Sequence, residues 1–186
     1  MTEANIREIL NLVSQGRLSV PQGLVRLRHL PFADLGFAKV DLHRKLRRGI
    51  PEVVFGERKT AQQIAAIGER VIKAGQDLIV TRLDPAKARV LRRKLKSFEY
   101  RAEAQVGLVL RHPHPPGGHG TIMVVSAGTS DIPVAEEAAV CAEAFGNRVS
   151  RLYDVGVAGL HRLTDSLDTL AAASVLIVVA GMEGAL

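Results

Sequence analysis

The sequence has 186 residues, of which 47% are hydrophobic, a formal net charge of +6 and a single cysteine. This composition is typical of a globular protein with its own core and excludes a disordered or low-complexity chain. A single cysteine excludes an intramolecular disulfide, and the polar, helical N-terminal residues are not a secretory signal, so we expect a cytoplasmic protein. The apolar run at 174–182 is too short to span a bilayer and predicts a buried strand, with no membrane partner.

The charge is divided unevenly along the chain. Residues 121–186 contain three basic and eight acidic side chains, whereas the first 120 residues contain 22 basic and 11 acidic ones. This asymmetry suggests two modules and a first half suited to an anionic partner, either nucleic acid or a phosphorylated small molecule. Aromatic residues make up only 4% of the chain and tryptophan is absent, so the stacking platforms of single-strand binders are largely missing. The low aromatic content argues against nucleic acid as the anionic partner.

The first 50 residues predict a helical hairpin followed by a loop with a short helix. Apolar residues at helical spacing indicate a first helix ending at Gly16, and Ser19 is the expected cap of a second helix. The loop contains four polar residues for which salt bridges and a ligand site are both open interpretations: Lys39, Asp41, His43 and Arg44.

Residues 51–111 alternate between strand and helix patterns, which predicts a small α/β module. Its helices are expected to begin after Thr60 and at Asp84–Pro85. A stretch rich in Pro, Gly and His, residues 112–120, predicts a linker. Its histidines lack the fixed geometry of a metal site.

Residues 121–186 predict a parallel sheet of three apolar strands joined by helices. Cys141 lies among alanines in the first of these helices, where a small buried hydrophobic role is favoured over a nucleophilic one. Three parallel strands leave an apolar sheet edge that is normally covered, which favours a homo-oligomer, contact with the N-terminal module or a longer chain.

The segments that follow the three strands are rich in small and polar residues. Ligands of open parallel sheets bind beyond the carboxyl ends of the strands, so these segments are the expected site. Asp131 is either a helix cap or an acceptor for ribose hydroxyls, and His161 is either a helix-start histidine or an acid/base catalyst. No G-x-G-x-x-G fingerprint is present, which argues against a standard dinucleotide dehydrogenase. The candidate binding residues are Ser126, Gly128, Thr129, Ser130, Asp131, Arg162, Gly181 and Met182, and the candidate catalytic residues are His161 and Glu183.

The sequence resembles two related families. SAGTSD, the HR of GVAGLHR, and AGMEGA are similar to segments of AIR carboxylases of the PurE type. The LarB family of nickel-pincer nucleotide cofactor biosynthesis is the closer resemblance, and it covers residue 5 to the last residue. The stretches that carry it are HLPFADLGFAKVDLHR, GIPEVVFGERKT, VVSAGTSDIPVAEEA, YDVGVAGLHR and VVAGMEGAL.

The resemblance implies a domain organisation and an α/β fold. We expect an N-terminal helical region (1–50), a small α/β module (51–111), the linker (112–120) and a partial PurE-like, flavodoxin-like domain of three layers (121–186), incomplete at its C-terminus.

The resemblance also implies a reaction. LarB-type enzymes carboxylate C5 of the pyridinium ring of nicotinic acid adenine dinucleotide (NaAD) with CO2 or bicarbonate and hydrolyse the phosphoanhydride. The products are AMP and pyridinium-3,5-biscarboxylic acid mononucleotide. His161 matches the AIR carboxylase histidine and would move a proton, while Arg162 would bind phosphate. Mg2+ at the pyrophosphate is an accompanying hypothesis, with Asp131, Asp154 or Glu183 as ligands.

Two departures from these families affect the prediction. AIR carboxylases have a serine where this chain has Gly159, which favours LarB chemistry over purine synthesis. The LarB family continues beyond the position of residue 186 and carries there the cysteine thought to attack the ring. We therefore expect a C-terminally truncated chain that lacks full carboxylase activity. An AIR carboxylase or mutase and a non-catalytic nucleotide-binding regulatory module remain alternatives.

Overall fold

A computed structural model describes residues 3–28, 32–42, 44, 49–111, 116–181, 184 and 186. Within these residues, no helix has the length and hydrophobicity needed to cross a membrane.

The chain begins with the helical hairpin that the sequence predicts, formed by α1 (Glu3–Ser14) and α2 (Val20–Arg28). Ser19 and Gln22 form reciprocal hydrogen bonds at the start of α2, since Ser19 N–H donates to Gln22 Oε1 (3.0 Å) and Gln22 N–H donates to Ser19 Oγ (3.4 Å). A Cβ at Gly23 would lie 2.8 Å from Val13 Cγ2, so the glycine allows close helix packing.

The second module consists of a two-stranded hairpin and a four-stranded mixed sheet. In the four-stranded sheet the order is β3-β4-β6-β5, with β3 and β4 parallel and the other pairs antiparallel. The elements are β1 (Phe32–Asp34), β2 (Lys39–Asp41), β3 (Val53–Phe55), α3 (Ala61–Lys73), β4 (Leu78–Thr81), α4 (Pro85–Lys94), β5 (Glu99–Arg101) and β6 (Val106–Val109).

The helix starts in this module agree with the predictions. Gln63 N–H donates to Thr60 Oγ1 (3.2 Å), and Lys87 N–H donates to Asp84 Oδ1 (2.9 Å). The core on the α3–α4 face includes Ile64, Leu78 and Leu91, which are fully buried. Val40 and Leu42 pack into the same core, so the module is structurally continuous with residues 32–42.

The β1–β2 hairpin occupies residues that the sequence-based prediction assigned to a loop; the short helix predicted in the same segment is not contradicted, since Arg44 is helical. Leu35 N–H donates to Ala38 O (2.9 Å), and the turn passes through Gly36 at φ +78°. Each strand has only three residues, too few for a period-two pattern to be recognised.

The C-terminal module is a parallel three-stranded sheet in the order β8-β7-β9, which is the start of a flavodoxin-like order and confirms the predicted fold class. Two 3₁₀ turns, Thr129–Asp131 and Val157–Gly159, follow the ends of β7 and β8. The other elements are β7 (Ile122–Ser126), α5 (Ile132–Ala144), β8 (Val149–Leu152), α6 (Leu160–Thr164), α7 (Leu167–Ala171) and β9 (Val175–Val179).

The single helix predicted before β9 is instead two short helices, α6 and α7. Thr164 Oγ1 donates to His161 O (2.9 Å) and Ser166 Oγ donates to Arg162 O (2.9 Å). Hydroxyl bonds of this kind, from Ser or Thr to carbonyls of the preceding turn, often bend or end helices, in agreement with the break.

Helix α5 lies between the two larger sheets and joins the modules. Ala135 and Ala139 pack in a cluster with Val124 of β7, whereas Val140 and Ala144 pack in a cluster with Ile79 of β4. The two faces of α5 that pack against the sheets are rich in small apolar residues, which allows close approach on both sides.

Strand β9 is an edge strand of the sheet that the described residues form. Val175, Leu176 and Val178 are 50%, 48% and 49% exposed. This apolar edge agrees with the expectation from the sequence.

Candidate functional site

The loops that follow the three parallel strands are joined by backbone hydrogen bonds. Ala127 N–H donates to Val179 O (2.9 Å), which connects the ends of β7 and β9. Gly156 N–H donates to Ala127 O (2.8 Å), which connects the β7 and β8 loops. The carboxyl edge of the sheet is therefore one continuous backbone surface, as the sequence predicts.

The contact between the β7 and β8 loops requires a glycine at position 156. A Cβ there would lie 2.7 Å from Ala127 O and 3.1 Å from Ala127 C. Both atoms belong to the backbone and have little freedom to move. Gly156 therefore sets the distance between the two loops.

The β7 loop is closed by Asp131. Its Oδ2 accepts the Gly128 N–H (2.9 Å), and the side chain makes no capping bond to α5. Asp131 is thus the residue at the N-cap position of α5, as the cap interpretation expects, but its carboxylate bonds the N–H that begins the preceding 3₁₀ turn instead of one within the helix. Thr129 and Ser130 are exposed on this turn.

Ser126 is fully buried, unlike its exposed neighbours in the β7 loop. Its Oγ accepts the Asp154 N–H (3.2 Å), and Asp154 has a left-handed backbone with φ +60°. Because such a conformation is unfavourable for a non-glycine residue, it needs local support. Ser126 supplies that support from beneath the β8 loop instead of facing a ligand.

Arg162 pairs with the same loop. Its Nη1 donates to Asp154 Oδ2, and the two side chains are about 40% exposed. A Cβ at Gly159 would lie 2.5 Å from Arg162 Nε, so the guanidinium occupies the space above this glycine. His161, the adjacent residue on α6, is exposed.

A polar network missed by the sequence analysis supports the β8 loop from its other side. Glu136 accepts hydrogen bonds from Arg151 Nε (2.7 Å), Arg151 Nη2 (3.3 Å) and Tyr153 Oη (2.7 Å), and Arg151 Nη1 donates to Glu143 Oε1 (2.6 Å). The available signal was the i, i+2 spacing of Arg151 on β8 and Tyr153 just after it, which directs both side chains to the same side as acidic residues of α5.

The network shifts the titration of its members. Burial alone would raise the pKa of Glu136, but the hydrogen bonds from Arg151 and Tyr153 outweigh it and hold that pKa below its ordinary value. Burial and the adjacent carboxylate raise the pKa of Tyr153. The network borders a polar cavity of about 260 Å³ between α5 and the β5–β6 turn, lined by Arg101, Glu103, Glu136, Glu143 and Arg151 among others.

Two sequence comparisons relate this chain to known proteins. Residues 32–111 match the family model for the LarB/PurE-like N-terminal domain. The chain is also 30% identical over 190 residues to uncharacterized protein MJ0165 of Methanocaldococcus jannaschii, an alignment that covers 98% of this chain and 74% of that protein. The chain belongs to the LarB/PurE-like family. Membership indicates a carboxylase- or mutase-type enzyme. The residues that match the family model form the module that precedes the parallel sheet.

Cys141 is not a suitable nucleophile for LarB/PurE-like chemistry. The side chain is half-buried and packs in the cluster between α5 and the four-stranded sheet. Burial, with a smaller effect of Glu137, raises the pKa of the thiol to about 11. The thiol is therefore protonated at neutral pH.

The described residues do not present a donor set for Mg2+. Asp131 accepts a backbone N–H and Asp154 is paired with Arg162. Within the described ranges, no three His, Cys, Asp or Glu residues are grouped as a metal site. Gly181 is exposed after β9, whereas Met182 and Glu183 lie outside the described residues. A magnesium site stays a prediction.

The N-terminal candidate residues lie away from the carboxyl-edge loops. Arg44 Nη1 is 3.4 Å from Glu52 Oε2, just before β3 begins. Leu42 O accepts a hydrogen bond from Gln76, just before β4 begins, so this segment lies at the amino ends of these strands. Two of the candidates, Lys39 and Asp41, are on β2, and His43 is outside the described residues.

Proposed function

We propose that this protein is a LarB-type carboxylase and hydrolase that acts on NaAD, with CO2 or bicarbonate as co-substrate. The observation that carries the proposal is the continuous carboxyl edge of the parallel sheet. There the β7 loop, the β8 loop with Arg162 and His161, and the end of β9 meet through backbone hydrogen bonds. Family membership supports the reaction class.

The geometry suggests roles for the β7 and β8 loops. The exposed turn at Thr129 and Ser130 offers hydroxyl donors to the pyrophosphate, and Arg162 offers a planar guanidinium. In the carboxylation, a nucleophile adds to the pyridinium ring, and C5 then bonds to the carbon of CO2 as one C–O π bond breaks. His161 accepts the proton that leaves C5, and departure of the nucleophile restores the aromatic ring; no described residue is assigned as that nucleophile. In the hydrolysis, water oxygen bonds to phosphorus, the bridging P–O bond breaks, and AMP leaves.

Mg2+ at the pyrophosphate stays a separate prediction: Asp131 accepts the Gly128 N–H through Oδ2, and Asp154 is paired with Arg162 through Oδ2. Cys141 is not assigned to attack the ring. The half-exposed apolar edge of β9 supports association into a homo-oligomer.

The proposal is tested by incubating the purified chain with NaAD and ¹³C-bicarbonate, and separately with aminoimidazole ribonucleotide. We expect AMP release from NaAD and no change in the aminoimidazole nucleotide. Tight NaAD binding without AMP release would favour a regulatory module, and carboxylation of the aminoimidazole nucleotide would favour purine synthesis. Carboxyl label in the mononucleotide product would establish the carboxylation step, whereas AMP release without label would limit the activity to hydrolysis.

Gly159 provides a further prediction. In Gly159→Ser the new side chain would displace the Arg162 guanidinium, which lies within 3 Å of an added Cβ. The displaced atoms end a flexible side chain and their ion pair is partly exposed, so we expect a change in unfolding free energy below about 1 kcal/mol. Affinity for NaAD should fall because Arg162 is no longer held. Thermal unfolding and calorimetric titration measure the two effects, and unchanged affinity would remove Arg162 from the site.

A further inference from the structure

The carboxyl ends of β4 and β7 lie at the same end of the molecule. Glu137, in the second turn of α5, contacts Arg82 just beyond the end of β4, with Oε2 3.1 Å from both Arg82 N and Nε. Farther along α5, Val140 packs in the cluster of Ile79, nearer the start of β4. Helix α5 therefore runs antiparallel to β4. It also runs antiparallel to β7, since it connects two parallel strands.

This common direction brings the carboxyl ends of β3 and β4 beside the first turns of α5, next to the candidate phosphate turn. We call the exposed surface between Phe55 and Val134 the groove. Phe55 ends β3 opposite Thr81 and shares a sheet face with Val53, which packs in the cluster formed with α5. Phe55 nevertheless remains 45% exposed, as does 37% of Val134 on α5. The part of the α5–sheet contact nearest the carboxyl ends of β3 and β4 is thus open to solvent.

The groove has the composition of a nucleoside subsite. Phe55 and Val134 are its apolar walls, while Thr81 and the Arg82–Glu137 pair supply polar groups at its base. Aromatic rings bind nucleobases by stacking, and ligand sites combine apolar walls with a few polar groups. Arg82 has φ +50°, a conformation that Glu137 fixes through the backbone N–H.

We infer that this groove binds the adenosine half of the dinucleotide, an inference that rests on the proposed function. Val134 lies three residues beyond Asp131 on α5, about 4.5 Å along the helix axis. A dinucleotide whose pyrophosphate lies at the Gly128–Asp131 turn therefore reaches the groove with its adenosine, while its pyridinium ring remains with the β8 and β9 loops. The LarB/PurE-like N-terminal module then contributes directly to substrate binding.

The test measures the affinities of wild type, Phe55→Ala and Phe55→Tyr for NaAD, AMP and nicotinic acid mononucleotide. For Phe55→Ala we expect about tenfold weaker binding of NaAD and AMP, because stacking on one ring is lost, and unchanged binding of the mononucleotide. Phe55→Tyr should bind like wild type. Leu110→Ala is the control, since Leu110 is 42% exposed and follows β6 at the opposite end of the sheet.

The outcomes separate the two proposals. Equal binding of AMP by wild type and Phe55→Ala, with both folded by circular dichroism, would overturn the adenosine groove while leaving the NaAD function standing. An equal loss for all three ligands would also overturn it, since that indicates general damage to the site. Failure of wild type to bind NaAD would contradict the proposed function itself.

Discussion

Gly156→Ala is expected to lower the free energy of unfolding by about 1–3 kcal/mol, the usual cost of forcing extra volume into a packed region. The added methyl group would lie 2.7 Å from Ala127 O, and neither backbone segment can move away without losing the Gly156 N–H to Ala127 O bond. We also expect the loss of most NaAD affinity, because the β7 and β8 loops would separate. Chemical denaturation and calorimetric titration measure the two effects.

Gly181→Ala is the matched control for Gly156→Ala. Gly181 belongs to the third loop of the same edge, and an added Cβ there meets no atom within 4 Å. The stability of Gly181→Ala should therefore stay close to that of wild type. If Gly156→Ala proved as stable as Gly181→Ala and bound NaAD normally, the spacing of the two loops would not matter for stability or for NaAD binding.

Glu136→Gln is expected to destabilise the protein by about 1–3 kcal/mol at neutral pH, because charge-assisted bonds from Arg151 and Tyr153 are weakened at a side chain that is only 14% exposed. The pKa of Glu136 is lowered in the folded protein from an ordinary value of 4.5. The stabilisation is therefore complete above that value and is lost as the pH falls through the lowered folded pKa.

The difference in stability between wild type and Glu136→Gln should accordingly shrink when the pH falls below about 4.5. Urea denaturation at several pH values measures it. Glu99→Gln is the control, since its pair with Arg101 is about two-thirds exposed and contributes little. A pH-independent difference would mean that the carboxylate charge of Glu136 is not what holds the network.

Regular elements with strong local signals could be predicted from the sequence. Thr60 and Asp84 have side chains that satisfy backbone N–H groups of the next turn, so the helix starts were readable from neighbouring residues alone. The three apolar strands of the C-terminal module were equally clear, and their parallel pairing places their loops at one edge.

Features that depend on distant contacts could not be predicted. Ser126 has the appearance of a ligand-binding residue in sequence, but its burial and its bond to Asp154 depend on a residue 28 positions away. Likewise, the groove at Phe55 exists because Glu137 and Arg82, 55 positions apart, align α5 with β4. Local propensity carries no information about such pairs.

The central claim is that the three loops of the parallel sheet bind one dinucleotide together. The most direct measurement is a titration of the ¹⁵N-labelled protein with NaAD, followed by amide chemical shifts. We predict that the amides of Gly128, Gly156 and Gly181, one from each loop, shift together with a single dissociation constant, while those of α1 do not move. Shifts confined to one loop, or the absence of any shift at this edge, would contradict it.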